Sequence, residues 1–161
     1  MLIDTLIEDQ RWNDANLHAF AQAGFEATAA TLGLDQNFEV SVLGCNDARI
    51  AALNADFRGK AMPTNVLSWP SEDLAATVPG AAPRLPGAGS TELGDIAISY
   101  DICAREAQAQ DKLFEHHVTH LLVHGLLHLL GYDHETDEDA ALMETFERRI
   151  LAKLGIEDPY L

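Results

Sequence analysis

The 161-residue chain carries 26 acidic against 10 basic residues, a formal net charge of -16, and is 47% hydrophobic. This size and apolar content fit one globular domain over residues 1–161 with a core of its own. An acidic surface repels phosphate backbones, which excludes general nucleic-acid binding driven by charge, and the apolar runs fall well short of the ~20 residues that a membrane span requires.

Residues 1–8 (MLIDTLIE) alternate loosely and predict an edge strand. Residues 13–32 place Leu17, Phe20, Ala21, Gly24 and Phe25 at helical spacing, with Asn13 or Asp14 as cap and Gly33 as stop. FEVSVLG (38–44) alternates as a strand. A second helix, capped by Asn46 or Asp47, sets Ile50, Leu53 and Phe57 on one face. NVLSWP (65–70) reads as a short strand closed by proline. Pro79, Pro83, Pro86 and four glycines mark residues 71–94 as a long flexible loop, a length typical of functional lids. DIAISY (95–100) is a further strand, with helices following from about 101, over 113–130, and over 137–154. The last of these puts Leu142, Phe146, Ile150 and Leu154 on its inner face. The expected fold is α+β: a small, mixed, mostly parallel sheet of about four strands covered by about five helices. Cys45 and Cys103 lack CxxC pairing and read as reduced core residues, which favours the cytoplasm. MLIDTLIEDQRW has no signal-peptide pattern.

The stretch HGLLHLLGYDH (124–134) aligns three histidines and a glycine with the zinc-protease signature HExxHxxGxxH. His124 and His128, four apart on a helix, point the same way, so both rings reach one ion. Gly131 can end the helix in a left-handed conformation, and the turn returns His134 to the same ion. Three protein ligands leave one coordination position open, as in catalytic rather than structural zinc. Imidazole also suits nickel, copper and iron, so zinc leads without excluding them. His120, one turn earlier, reads as lining the pocket or hydrogen-bonding to a ligand. His116 and His117 read as exposed and His18 as incidental.

Gly125 stands where the proteases carry their catalytic glutamate. Three substitutes for that base are open: the acidity that a metal imparts to its water, another carboxylate (Asp133, Glu135 or Asp95), or a group of the substrate itself. A glycine there is also expected to leave space for a bulky or anionic substrate. Phosphodiester cleavage calls for a nearby cation, and Arg58, at the end of the second helix, is a candidate, although read alone it fits a surface or structural arginine better.

HGLLHLLGYDH, together with LNADFRGKAMPTNVLSWP (53–70) and LGDIAIS (93–99), resembles the bacterial YbeY family of metal-dependent endoribonucleases, and the likeness extends to the closing GIEDPYL. The resemblance implies metal ligands at His124, His128 and His134 and an essential pocket arginine at Arg58. It implies cleavage of single-stranded RNA, 3′-end maturation of small-subunit rRNA and ribosome quality control in the cytoplasm. It also implies contacts with a small-subunit ribosomal protein and a ribosome-associated GTPase. The chain departs from the family pattern at Ala61, where an acidic residue is usual, at Trp69, where Phe is frequent, and in the length of the 71–94 loop. Two other readings stay open: a peptidase-like zinc hydrolase with a relocated base, and a non-enzymatic ribosome assembly factor with a structural metal.

Overall fold

The computed structural model describes residues 1–34, 37–86 and 92–161. Four strands, β1 (Leu2–Ile7), β2 (Glu39–Cys45), β3 (Val66–Pro70) and β4 (Glu92–Ser99), form one sheet in the order β1-β2-β4-β3. β1, β2 and β4 run parallel and β3 is antiparallel to β4, so the expected mixed, mostly parallel sheet is present and β1 is an edge strand as expected.

Alternation in β2 and β4 assigns the two faces. Val40, Val42, Ile96 and Ile98 are buried beneath α1 (Gln10–Asp14), α2 (Leu17–Leu32), α4 (Tyr100–Ala109) and α5 (Phe114–Leu129). On the opposite face Cys45, Leu67 and Ala97 pack on Ile50 and Leu53 of α3 (Asp47–Arg58). A further layer forms where Val123 and Leu127 of α5 meet Met143, Ile150 and Leu151 of α6 (Asp137–Lys153). α5 is thus buried on two sides, against the sheet and against α6, and its remaining strip is what the cleft exposes.

Several expectations need correction. The helix predicted over 13–32 is two helices, broken at Asn16, which adopts a left-handed φ of 66° and caps nothing through its side chain. The five-residue α1 was too short to show periodicity. It is held by the Asp9 cap and by buried Trp12, whose indole N–H donates to the Cys45 carbonyl at 3.0 Å. Phe57 is exposed rather than packed with Ile50, because α3 meets the sheet through only a narrow strip.

The stretch expected to be a loop over 71–94 ends earlier, since β4 begins at Glu92. Its described part is moored. Leu74 is buried, Arg84 N–H donates to the Leu74 carbonyl at 2.9 Å, and Gly80 N–H donates to the Asp139 carboxylate at 2.9 Å. Residues 87–91 of that expected loop, Gly87 and Gly89 included, lie outside the described residues. On α6 the buried face is Met143, Glu147, Ile150 and Leu151, one step round from the predicted stripe, with Leu142, Phe146 and Leu154 half-buried at its margin. Both cysteines are free and buried, as expected.

Candidate metal centre

α5 carries His124 and His128 on adjacent turns, and the helix ends at Leu129. Gly131 follows with φ 99°, and a Cβ there would stand 2.7 Å from the backbone of Leu74. Only glycine accepts both the dihedral and the contact, so this position turns the chain as the sequence predicted. His134 is thereby returned: its ring centroid lies 5.6 Å from that of His124 and 5.0 Å from that of His128. One ligand atom from each of the three lies within 4.8 Å of the other two, so the triad can hold a metal ion.

The chemistry of the donors agrees. Burial first, then repulsion from His124 and His134, pushes His128 down to about 4, so its ring is neutral at pH 7 and free to ligate. His128 Nδ1–H donates to the Tyr132 carbonyl at 2.9 Å, which leaves the Nε2 lone pair for an ion. His124 Nδ1–H donates to Glu147 Oε1 at 2.5 Å and likewise leaves Nε2. These two Nε2 atoms face each other at 3.0 Å. Two nitrogens so placed need a proton or a metal ion between them, and ligand nitrogens on tetrahedral zinc at ~2.0–2.1 Å stand ~3.3 Å apart, close to this spacing.

Glu147 is the functional residue that the sequence reading missed. It has no solvent exposure, and burial opposes its charge, yet hydrogen bonds from His120 and His124 outweigh burial and hold it down at about 2. A carboxylate behind a ligating imidazole fixes the tautomer and strengthens the ligand. The available signal was an acidic residue on the apolar face of an amphipathic helix, between Met143 and Ile150. His120 behaves as expected: it lines the cleft, and its Nε2 lies 3.4 Å from Glu147 Oε2. His117, expected on the surface, is instead 5% exposed and donates through Nε2 to Glu106 at 2.9 Å. Glu106 also accepts from the Asn65 side-chain amide at 3.1 Å, and Asn65 lines the cleft. His18 pairs with Thr5 at 2.9 Å on β1, away from the triad.

The triad opens into a cleft of about 820 Å³ that Arg58, Ser68, Asp133 and Glu135 also line. Arg58, the last residue of α3, is exposed and forms no ion pair among the described residues; its guanidinium stands 6.0 Å from the Phe57 ring. Of the carboxylates considered as a base, Asp133 and Glu135 line the cleft and Asp95 does not. Asp133 also accepts the His134 N–H at 2.7 Å and so holds the backbone of the third histidine of the triad. Gly125 does not open space beside the metal. A Cβ there would meet Ile96 Cδ1 and Ser68 Oγ at 3.2 Å, so the missing side chain lets α5 lie close on the sheet.

An α+β fold with three imidazoles lining an open cleft and a buried carboxylate behind them has the donor set of a protein able to hold a metal ion. The sequence profile described as Endoribonuclease YbeY matches residues 3–155. The chain belongs to that family. Proteins named Endoribonuclease YbeY from Paracoccus denitrificans and Ruegeria pomeroyi are similar to it. The first is 62% identical over 159 residues, covering 99% of this chain and 90% of the relative. The second is 58% identical over 164 residues, covering 99% and 98%. A Thermotoga maritima protein solved in solution shares the fold at a TM-score of 0.58 and 23% identity, covering 96% of this chain and 92% of that one.

Proposed function

We propose that the chain acts as one cytoplasmic domain that cleaves single-stranded RNA, in 3′-end maturation of small-subunit rRNA and in ribosome quality control. One divalent cation, zinc first and nickel next, is held by His124, His128 and His134, and Arg58 is the catalytic cation for the phosphate. Recruitment through a small-subunit ribosomal protein and a ribosome-associated GTPase belongs to the same reading and rests on family membership.

The observation that carries it is that the triad and the unpaired Arg58 line one open cleft. When bound, the cation supplies Lewis acidity beside the scissile phosphate. The chain's own residues do the rest. Glu147 and the Tyr132 carbonyl hold the His124 and His128 rings so that both offer Nε2. Arg58 meets the phosphoryl oxygens, where guanidinium geometry suits two oxygens at once and offsets the extra charge of the transition state. Phe57, 47% exposed and lining the cleft beside Arg58, offers an aromatic face of the kind on which unpaired bases stack. A duplex keeps its bases inward and cannot use such a face, which supports the preference for single strands.

The test is cleavage of a single-stranded RNA by purified wild type, Arg58→Ala and His124→Ala, with metal content measured on each. Both variants should lose activity by at least ~100-fold, as for loss of one charge-stabilising group, and Arg58→Ala should retain its metal. Cleavage by both at the wild-type rate would assign the activity to a contaminant. The product ends name the nucleophile: a 2′,3′-cyclic phosphate implicates the ribose, and a 3′-hydroxyl implicates water.

A further inference from the structure

The segment after α6 folds back onto the metal site. Lys112 Nζ donates to the Pro159 carbonyl at 3.1 Å. Arg148 Nε and Tyr160 N–H each donate to the Asp158 carboxylate at 2.9 Å. The Arg148 guanidinium covers the Tyr160 ring at 5.4 Å, and that ring meets His120 edge-on at 5.7 Å. Held this way, the Tyr160 hydroxyl donates to Glu147 Oε2, while Oε1 of the same carboxylate accepts His124 Nδ1–H.

A carboxylate with no solvent exposure needs partners on both oxygens, since an unmet acceptor in the interior is costly. Oε2 has two, the Tyr160 hydroxyl and the longer contact of 3.4 Å from His120. Without the hydroxyl, the group is free to rotate toward His120 and release the ring that it aims at the metal. Ile156 packs partly buried on the core between α5 and α6, and beyond it the segment is held by polar contacts near the surface: Tyr160 remains 42% exposed and Leu161 fully so. Such segments open at low free-energy cost. They therefore respond measurably to whatever they touch.

We propose that Tyr160 is a positioning residue of the metal centre: its hydroxyl, delivered by the docked segment 154–161, anchors Glu147 so that His124 presents Nε2 to the cation. Metal binding and docking of the segment then stabilise each other, because a coupling between two binding events is reciprocal. This rests on the three-histidine site proposed above and is independent of the substrate.

The experiment measures zinc affinity of chelator-stripped protein by competition with a chromophoric chelator, for wild type, Tyr160→Phe, Glu147→Gln and a chain lacking residues 157–161. Losing a partner behind a metal ligand weakens affinity by roughly 10–100-fold. Tyr160→Phe and the shortened chain should show that loss, and in Tyr160→Phe it should clearly exceed any fall in zinc-free stability. Glu147→Gln should lose at least as much affinity. Amide exchange of residues 154–161 should slow on adding zinc to wild type and not to Tyr160→Phe. Wild-type zinc affinity in Tyr160→Phe, or exchange unaltered by zinc in wild type, overturns the proposal. So does an affinity loss matched by an equal loss of zinc-free stability, which is what a purely structural role gives. No RNA enters either measurement, so failure here leaves the cleavage reading standing, and absence of RNA cleavage leaves this one standing.

Discussion

Histidines 117, 120 and 124 share one strip of α5, yet their surroundings give them different tasks. His124 faces the cleft with a carboxylate behind it, whereas His117 is enclosed between α4 and α5 with Glu106 as its partner. Burial lowers the pKa of His117 from the usual 6.5, and the hydrogen bond to Glu106 only partly offsets it. The sign follows directly. The unfolded chain takes up the proton first as pH falls, so the stability due to neutral His117 is whole above about pH 6.5 and drains away below it. Urea unfolding of metal-free protein between pH 7.5 and 5 should show this, with a shallower fall for His117→Gln than for wild type. Equal pH slopes would mean that the ring is solvated in the folded state. Nothing in the order of residues separates His117 from His116, because both are polar positions on a helix whose burial depends on what packs against it.

The turn between α5 and α6 decides whether His134 joins His124 and His128 in one cleft. Its glycine, at φ 99° and against the Leu74 backbone, admits no side chain without moving the moored stretch that follows β3. Gly131→Ala should therefore cost about 1–3 kcal/mol, read as a lower Tm of the metal-free protein, and should weaken metal binding through displacement of His134. An unchanged Tm would show that the turn tolerates a side chain and that the strain is misplaced. This turn was legible from HLLGYDH because glycine has a local meaning. The inner face of α6 was legible only in part: i, i+4 spacing marked Leu142, Phe146, Ile150 and Leu154, of which Ile150 is buried, whereas the buried line runs through Met143, Glu147, Ile150 and Leu151. Periodicity reports an apolar face only when every buried position is apolar, and here the site requires a carboxylate in it.

The net charge of -16 bears on how RNA could be bound at all. Arg58 is the one arginine or lysine among the described residues lining the cleft, alongside Glu72, Asp73, Asp133 and Glu135. Single-strand binding that neutralises Z phosphates depends on salt with a slope near 0.7Z. A cleft that engages one or two phosphates should give a log–log slope of magnitude about 1, measured by anisotropy of a single-stranded RNA with chelator-stripped protein, which leaves the strand intact whichever nucleophile operates. A slope of about 3 or more would point to a broad basic track, contrary to the charge distribution. The same acidity suits an enzyme brought to its RNA by protein contacts instead of by long-range attraction.

The chain's own order of residues determined the strands β1 to β4, the helices α2 to α6, the triad and the turn glycine, because each is written in a spacing shorter than one element. Arg58 was marked out by the family resemblance, and the structure places it in the lining of the same cleft as the triad. What only the packed molecule decided is which groups serve those ligands. Glu147, Glu106 and the Tyr132 carbonyl reach the α5 histidines from as many as 27 residues away along the chain, and Tyr160 meets His120 from farther still. Their effect comes from desolvation and from contact between separate elements, and neither quantity exists until α4, α6 and the closing segment are laid against α5.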